Sequence, residues 1–415
     1  MRVEDFKAVI AEFLNSEIPK TTDRETRLPL DTNYVITLTG GRRVGKTYIL
    51  YNTMSRLVAE GKASKDEIVY VDFEHPRLRN LSAVDLDDML TAFYELTGKK
   101  PRYLFLDEIQ TVKDYGSWFR RRLDAKVFLT GSSSALTPPR IAEELRGRSL
   151  NFEVFPLSFR EYLSFLGVNV NTEIAFYTEE KGRILSLLRE YLRYGGYPAV
   201  VLERDPGLKK MLLRSYFDSV VVRDLNERYA ETFASYIVSN YSSLISYNRV
   251  YNYLKTLGFK ASKEKVIELF RRGEEAYFLF EVEVFERSET KRKVNPRKVY
   301  IVDTGYSYAL GYDSVSKAME NAVYLQLRRE GKEVYYWRSE DAEVDFVVSE
   351  KMEPKELIQV TYAEDKIEER EVKALRRAER EINAERSTII TWSYHGRVNG
   401  YQAVPLWYWL LRGER

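Results

Sequence analysis

The fold is specified by Val35-Ile36-Thr37-Leu38-Thr39-Gly40-Gly41-Arg42-Arg43-Val44-Gly45-Lys46-Thr47. In this stretch an apolar strand leads directly into the motif G-x-x-x-x-G-K-T. Glycines in the motif let successive backbone N–H groups converge on an anion, and the following helix adds its N-terminal partial positive charge. Lys46 is placed to reach the outer phosphates, and the Thr47 hydroxyl to bind Mg²⁺. We predict a phosphate-binding loop formed by one run of residues: Gly40, Gly41, Arg42, Arg43, Val44, Gly45, Lys46, Thr47 and Tyr48.

Composition limits the remaining possibilities. The chain has 415 residues and a net charge of +2, so we expect about three domains, with any nucleic-acid binding confined to local basic patches. It has no cysteine and two histidines, which excludes disulfides, thiol chemistry and a zinc site built without carboxylates. The acidic start at residues 1–5 and the lack of long apolar runs predict a cytoplasmic protein without a membrane segment. The charged fraction of 31%, against roughly 25% in typical proteins, is the balance of hyperthermophile proteins.

The first part of the chain alternates strands with helices, which predicts a parallel sheet covered on both faces. A helix over 3–14 comes first, and further helices are expected near 48–59, 84–97 and 118–123. We expect five strands, over residues 35–39, 67–73, 102–108, 126–130 and 151–155.

The third of these strands ends in two carboxylates, Asp107 and Glu108. A strand interior would not tolerate them, but the carboxyl end of a strand at a ligand crevice would. We predict that Asp107 holds Mg²⁺ through water and that Glu108 orients and deprotonates the attacking water. Together with the phosphate loop, this pair predicts hydrolysis of ATP or GTP.

Short motifs follow one another along the chain: GGRRVGKT at 40–47, LFLDEIQ at 104–110, FLTGSSS at 128–134, LRGRS at 145–149, PLSFREY at 156–162, YGGYP at 194–198, VYIVDTG at 299–305 and EVDFVV at 343–348. Their order resembles that of archaeal and bacterial AAA-type P-loop ATPases that carry a winged helix and a restriction-endonuclease-like C-terminus. The resemblance implies an α/β fold with a five-stranded parallel sheet in an ATPase core over residues 1–157. A helical lid (158–230), a winged helix-turn-helix (231–305) and a PD-(D/E)xK-like domain (306–415) would follow.

The resemblance also implies roles for individual residues. Thr130 and Ser132 are candidates for sensing the γ-phosphate, with a plain turn as the alternative. Arg146 and Arg148 are candidates for an arginine presented to a neighbouring subunit, with a surface salt bridge as the alternative. Pro198 falls in the lid motif that approaches the adenine, and a helix-terminating turn is the alternative.

Three helical stretches and two strands predict the winged helix. The helices are expected near 232–242, 247–257 and 263–272, with Ser246 and Ser262 as N-caps, and the strands over 276–285 and 298–302. The connection between the strands is rich in basic residues, which predicts a positively charged wing tip suited to phosphate contacts. The DNA-binding candidates are Lys263 and Lys265 at the start of the recognition helix, and Lys291, Arg292 and Lys293, which share the connection with Arg287, Arg297 and Lys298.

The last domain looks like a restriction-endonuclease core, in which an acid, an Asp and an E-x-K motif gather a divalent metal. Glu320 and Asp345 match this pattern, but Gln359 and Thr361 replace the Glu and the Lys of E-x-K. We therefore predict a degenerate nuclease site used for binding or assembly.

These observations favour an ATPase with ATP and Mg²⁺ as cofactors, DNA as partner, and a homo-oligomer such as a ring or hexamer. Three functions remain open: a motor on branched DNA in recombination or repair, a nucleotide-dependent switch related to signalling ATPases, and an ATP-gated nuclease.

Overall fold

The computed structural model describes residues 2–120, 124–131 and 138–412. The chain forms two compact units, Met1–Phe155 and Pro156–Arg415, and each is described by itself.

The first unit contains a five-stranded parallel sheet, as the sequence predicts. The strands are in the order β2-β3-β4-β1-β5. Their bounds are β1 Val35–Gly40, β2 Ile68–Asp72, β3 Tyr103–Asp107, β4 Lys126–Thr130 and β5 Ser149–Val154. The carboxyl ends of β1, β3 and β4, which are neighbours in the sheet, therefore meet at one edge.

Helices flank this sheet, with bounds α1 Val3–Asn15, α2 Lys46–Ala59, α3 Leu86–Thr97, α4 Tyr115–Phe119 and α5 Pro138–Leu145. The predicted apolar face of α1 is confirmed, because Phe6 and Ile10 are buried in a core shared with Phe93 of α3 and Leu104 of β3. The fourth helix begins three residues earlier than predicted, and residues 121–123 of that prediction lie outside the described residues.

The second unit begins with helices: α6 Phe159–Phe165, α7 Thr172–Ala175, α8 Glu180–Tyr194, α9 Pro198–Leu202 and α10 Pro206–Val220. One π-helical turn, Val221–Leu225, extends α10.

A three-stranded antiparallel sheet follows, in the order β6-β8-β7, from β6 Ser243–Ile245, β7 Leu279–Val282 and β8 Arg297–Ile301. It is accompanied by α11 Ala230–Ser239, α12 Tyr247–Thr256 and α13 Lys263–Glu275. The predicted N-caps are confirmed: the Ser246 and Ser262 hydroxyls accept hydrogen bonds from the backbone N–H groups of Arg249 and Lys265, at 3.2 and 3.3 Å.

The connection between β7 and β8 differs from the predicted open wing. The first strand is shorter than the predicted 276–285, and the connection contains a helix, α14 Glu289–Val294. The Ser288 hydroxyl caps this helix by accepting from the Lys291 N–H at 3.4 Å. A polar run with an N-cap serine can close a helical turn, which periodicity over so few residues does not reveal.

The C-terminal part contains a mixed six-stranded sheet in the order β13-β14-β12-β11-β10-β9. Its strands are β9 Glu333–Arg338, β10 Glu343–Glu350, β11 Glu353–Thr361, β12 Arg386–Thr391, β13 Gly396–Val398 and β14 Tyr401–Pro405. The remaining helices are α15 Gly305–Leu310, α16 Val315–Arg329, α17 Glu369–Ile382 and α18 Leu406–Arg412. Among the described residues, no helix is both long enough and apolar enough to cross a bilayer.

Candidate nucleotide site

The phosphate loop lies between β1 and α2, and close backbone packing explains its glycines. A Cβ added at Gly40 would lie 2.1 Å from the Val154 carbonyl oxygen of β5. Gly45, immediately before α2, has φ 98°, a left-handed conformation that favours glycine. The loop therefore turns back on itself and directs backbone N–H groups at the start of α2 toward one concavity.

Lys46 is buried at the base of this loop. Its ammonium group donates hydrogen bonds to the carbonyl oxygens of Gly40 and Gly41, at 3.0 and 2.7 Å. Burial lowers the pKa of Lys46 to about 8, although the negative charges of Glu108 and Asp107 oppose that change. The lysine charge is thus held next to the loop that is predicted to receive phosphates.

Asp107, at the carboxyl end of β3, is the centre of the site. One carboxylate oxygen accepts a hydrogen bond from the Thr47 hydroxyl at 2.7 Å, and the other accepts one from the Thr130 hydroxyl. Burial raises the pKa of Asp107, and the two threonine hydrogen bonds oppose that rise. The structure thus brings together three of the predicted site residues from α2, β3 and β4.

Glu108 follows Asp107 and has a left-handed backbone, with φ 54°. This conformation is uncommon outside glycine. Its N–H donates to the Thr130 hydroxyl at 3.1 Å, and one of its carboxylate oxygens accepts from the Gln110 side-chain amide at 2.5 Å. The turn therefore fixes the carboxylate beside Asp107 instead of continuing the strand.

The donor set at Thr47 and Asp107 fits Mg²⁺. A threonine hydroxyl and a carboxylate, 2.7 Å apart, supply the oxygen ligands that this ion prefers. These two residues would hold the ion, as the sequence predicts.

Sequence reasoning missed two groups of β2 that lie beside Asp107. The Tyr70 hydroxyl donates to the Asp107 carboxylate at 3.3 Å and accepts from the Tyr51 hydroxyl at 3.1 Å. Asp72 is the direct sheet partner of Asp107. Burial raises the pKa of Asp72, and the charges of Asp107 and Glu108 raise it further. The sequence does contain a signal for Asp72, because this carboxylate follows an apolar strand just as Asp107 does.

Arg24, in the polar segment before β1, was also missed. Its guanidinium donates to the Val44 carbonyl in the phosphate loop and to the Phe155 carbonyl beyond β5, both at 2.9 Å. The same segment contacts α2, because the Asn52 amide donates to Thr21 at 3.0 Å and to Asp23 at 2.8 Å. The polar segment thus supports the loop from outside the motif.

Comparison with curated proteins finds a relative that spans nearly the whole chain. The chain is 31% identical, over an alignment of 432 positions, to the "Uncharacterized protein MJ1544" of Methanocaldococcus jannaschii, covering 98% of this chain and 95% of that protein. This chain belongs to the MJ1544 family. A Haemophilus influenzae protein is 26% identical over 333 positions, which cover 76% of this chain and 80% of the relative.

Models of known domains divide this MJ1544-family chain in three. Residues 32–163 match the model of an AAA domain, which agrees with the P-loop ATPase fold of the first unit. Residues 185–316 and 316–409 match models described as domains of unknown function, DUF8612 and DUF4143.

Solved structures that resemble the chain include the Walker-type ATPase of Pyrococcus abyssi, with 15% identity, a TM-score of 0.38, and coverage of 74% of this chain and 95% of that one. The AMPPCP-bound DnaA of Aquifex aeolicus is 14% identical, with a TM-score of 0.25, and the match covers 66% of this chain and 86% of the DnaA chain. The family assignment rests on the sequence matches.

Several other predicted site residues of this MJ1544-family chain are exposed to solvent. Arg146 and Arg148 are exposed in the turn between α5 and β5, where Arg146 has φ 49° and Arg148 donates to the Arg120 carbonyl at 2.9 Å. Tyr48 and Arg43 are exposed. Ser132 lies outside the described residues. Pro198 is the first residue of α9 in the second unit, and its predicted approach to the adenine stays a prediction.

The glycine pair before Pro198 has a structural partner within the second unit. The Asp303 carboxylate accepts hydrogen bonds from the Gly196 N–H at 2.7 Å and the Gly305 N–H at 2.8 Å. A Cβ at Gly195 would overlap the Asp303 side chain. Burial raises the pKa of Asp303 to about 7. The YGGYP and VDTG motifs therefore contact each other, which explains Gly195 without a ligand. Gly196 is explained by Leu157, whose carbonyl oxygen would lie 2.4 Å from an added Cβ.

The predicted DNA-binding residues are charged but largely ion-paired. Lys265 contacts Glu227 at 2.5 Å, Lys293 contacts Glu283 at 2.8 Å, and Arg292 contacts Glu283 at 3.6 Å. Lys291 lies 4.0 Å from Glu286, and Lys263 is exposed near the Tyr251 ring. Lys298, predicted in the basic connection, is buried in β8, so the charge of the connection is lower than its composition suggests.

The four residues of the predicted degenerate nuclease site lie on α16, β10 and β11. Gln359 does not replace the missing carboxylate as a ligand: its side-chain oxygen accepts the Asp345 N–H at 3.3 Å, and its amide donates to Glu371 at 2.7 Å. Thr361 ends β11. Glu320 and Asp345 both contact Lys298, at 3.1 and 2.7 Å.

Proposed function

We propose that this chain hydrolyses ATP to ADP and phosphate with Mg²⁺. The observation that carries this proposal is the connected set of polar groups at the edge of the sheet, in which Asp107 joins Thr47 and Thr130 by hydrogen bonds. Thr130 in turn accepts the N–H of Glu108. These are the groups that a P-loop ATPase needs beside its phosphate loop.

Each residue of the site has a separate task in this proposal. Lys46 would exchange its bonds to the loop carbonyls for the outer phosphates, and Thr47 and Asp107 would hold Mg²⁺. The ion supplies charge neutralisation at the phosphates when it is bound. Glu108 would orient the attacking water and take its proton, while Thr130 keeps Glu108 and Asp107 in register. Thr130 or, alternatively, Ser132 would sense the γ-phosphate.

The direct test is phosphate release by the purified chain with ATP and Mg²⁺, compared with reactions that contain EDTA or a non-hydrolysable analogue. We expect Mg²⁺-dependent turnover. Tight ATP binding without turnover in every condition would contradict hydrolysis and favour a nucleotide-dependent switch.

We further propose that the nucleotide state is coupled to DNA binding or remodelling, as in a motor on branched DNA in recombination or repair. Support comes from the three helices and the antiparallel sheet of 230–301, an arrangement suited to a winged helix, and from the exposed lysines of α13 and α14. Their ion pairs do not exclude this role. Exposed pairs contribute only about 0–1 kcal/mol, so a DNA phosphate can compete for them.

We expect DNA to stimulate hydrolysis, and Lys291→Ala with Lys293→Ala to remove that stimulation while leaving the basal rate. These side chains are 66% and 60% exposed. Losing two phosphate contacts would reduce the slope of log affinity against log salt by about 1.8. Arg292 is left in place because its guanidinium donates to the Glu286 carbonyl at 3.2 Å and supports the connection.

The measurement compares single-stranded, duplex and four-way DNA over a range of salt. A control with Lys366→Ala and Lys373→Ala makes the same charge change in and before α17, and we expect it to retain stimulation. Equal loss in both double variants would show that net charge, and not this connection, matters. If none of the three DNAs changes the rate of ATP hydrolysis by the unchanged protein, the proposed coupling to DNA is wrong and a nucleotide-dependent switch is favoured.

We also propose that Arg146 or Arg148 acts in a neighbouring copy of the chain, in a ring or hexamer. Both are exposed on the turn that leads into β5. Neither contacts Asp107, so a role in the copy's own site has no geometric support among the described contacts. An arginine supplied in trans accelerates phosphoryl transfer by about 10³- to 10⁵-fold where it operates.

Mixing distinguishes these arginines from a surface salt bridge. Lys46→Ala and the double variant Arg146→Ala with Arg148→Ala should each be inactive alone. Their mixture should recover activity, because the first lends its arginines to the intact phosphate loop of the second. Full activity of the double arginine variant at every protein concentration would contradict the proposal.

A further inference from the structure

Lys298 of β8 has an unusual environment for a lysine: it is buried, with three carboxylates around its ammonium group. Asp345 and Glu343 lie at 2.7 Å and Glu320 at 3.1 Å. An ammonium group has three N–H donors, so each can be directed at a different carboxylate. The lysine is therefore fully satisfied by this cluster.

Neighbouring groups hold these carboxylates in place. The Tyr300 hydroxyl donates to Glu320 at 2.7 Å, and the Val360 N–H donates to the second oxygen of Asp345 at 2.8 Å. These contacts come from β8, α16, β10 and β11. The cluster is thus assembled by tertiary structure and not by one flexible surface segment.

Electrostatics keeps the lysine charged. Burial alone would lower the pKa of Lys298, but the surrounding carboxylates raise it well above its ordinary value. Burial raises the pKa of Glu320 to about 7, with the Asp345 charge adding to the rise and Lys298 opposing it. A buried group of acids without a cation would be costly, so the ammonium is essential to this arrangement.

The cluster occupies the place of the predicted degenerate nuclease site, in which only two residues match the metal-gathering pattern. Glu320 and Asp345, the two residues that match that pattern, direct oxygens at Lys298. Within residues 2–120, 124–131 and 138–412, no group of three or more histidine or acidic side chains has a geometry suited to a metal ion. The carboxylates are thus arranged around an ammonium.

Lys298 also connects two sheets. It belongs to the three-stranded sheet, whereas Asp345 and Glu343 belong to the six-stranded sheet. Adjacent contacts add to this connection. The Asn321 side chain of α16 pairs with both backbone groups of Ile301 in β8, each at 2.9 Å, and the Phe285 N–H, beyond the end of β7, donates to the Tyr336 carbonyl of β9 at 2.6 Å.

We propose that Lys298 is a built-in cation that fills the carboxylate site of the C-terminal sheet in place of a divalent metal, and so fastens the three-stranded sheet to it. Residues 243–301 and 315–361 then move as one body. The C-terminal domain neither binds a metal at this site nor cleaves DNA, independently of whether the first unit hydrolyses ATP.

The test titrates the full chain with Mn²⁺ in the absence of nucleotide and follows free Mn²⁺ by electron paramagnetic resonance. We expect the unchanged protein and Asp345→Asn to bind the same amount. Lys298→Ala should bind one Mn²⁺ ion that the unchanged protein does not bind, because three carboxylates lose their cation. Adding Asp345→Asn to Lys298→Ala should remove that binding.

Thermal unfolding provides a second readout. Lys298→Ala should unfold at a lower temperature and regain part of the loss with Mn²⁺, whereas Lys298→Arg should keep a cation and show no Mn²⁺ effect. If Lys298→Ala does not fold, the double variant Lys298→Met with Glu343→Gln takes its place. It removes one of the three carboxylate charges together with the lysine, so fewer buried charges are left without a cation.

Two results would overturn the proposal. One is Mn²⁺ binding by the unchanged protein that Asp345→Asn abolishes, with or without nicking of DNA in Mg²⁺ or Mn²⁺. The other is a folded Lys298→Ala variant that binds no more Mn²⁺ than the unchanged protein.

Discussion

Lys46→Ala should reduce ATP hydrolysis by about 10²- to 10³-fold or more, the range for loss of a key electrostatic group at a reacting centre. The ammonium is buried against the Gly40 and Gly41 carbonyls, at the base of the loop that would receive the phosphates. Removing it leaves the β- and γ-phosphates without that charge, so ATP affinity should fall together with turnover. Phosphate release and binding of a fluorescent ATP analogue measure the two effects.

The matched control is Lys62→Ala, which removes an exposed lysine that pairs with Glu60 at 2.8 Å and should keep full activity. Thermal unfolding of both variants checks that the loop change does not unfold the unit. Undiminished turnover by folded Lys46→Ala would refute the site assignment.

The pH dependence of ATP binding follows from the same lysine. Its pKa is lowered to about 8 by burial, and phosphates would raise it again. Above pH 8 the protein must therefore take up a proton to bind ATP. We expect affinity to fall as pH rises through that range, and the fall to disappear in Lys46→Ala.

Two kinds of site residue could be predicted from the sequence: those within one continuous motif and those at the carboxyl ends of strands. The phosphate loop is one uninterrupted run, and parallel strands bring their carboxyl ends to one edge. Those two facts bring Thr47, Asp107 and Thr130 to the same edge, where Asp107 accepts hydrogen bonds from both threonine hydroxyls.

Arg24 shows what such reasoning misses. It lies in a polar segment without periodicity, 20 residues before Val44 and 131 before Phe155, the residues whose carbonyls it contacts. Nothing local distinguishes it from Arg27, the other arginine of that segment. Its role depends on how the segment crosses the sheet edge.

Counting charges predicts Lys298 on a basic surface, although its position in a strand is a contrary signal. Residues i and i+2 of a strand share a face, so Lys298 lies with Tyr300, and both contact Glu320 in the structure. The acids lie 22, 45 and 47 positions later in the sequence, so charge balance within the connection could not reveal them. The contacts at Lys298 also join regions that the motif order suggested were separate domains.

Glu108→Gln should separate binding from chemistry. The amide keeps the size of the side chain and can still contact Gln110, so ATP should bind with little change. It cannot take a proton from water, and loss of a general base costs about 10²- to 10⁴-fold. We therefore expect turnover to fall at least about 100-fold while the fluorescent analogue still binds.

Asp72→Asn is the companion that tests whether Glu108 is the right carboxylate. Asp72 is the sheet partner of Asp107, so it is the nearest alternative acid at the end of a neighbouring strand. We expect Asp72→Asn to retain most of the turnover, because its backbone continues β2 whereas the left-handed turn at Glu108 directs that residue away from its strand. If Glu108→Gln hydrolyses ATP normally and Asp72→Asn loses turnover, the general base is Asp72 of β2 and not Glu108.

Gln110→Ala tests how far the position of the Glu108 carboxylate matters. It releases one Glu108 oxygen without removing the base, so turnover should fall less than in Glu108→Gln.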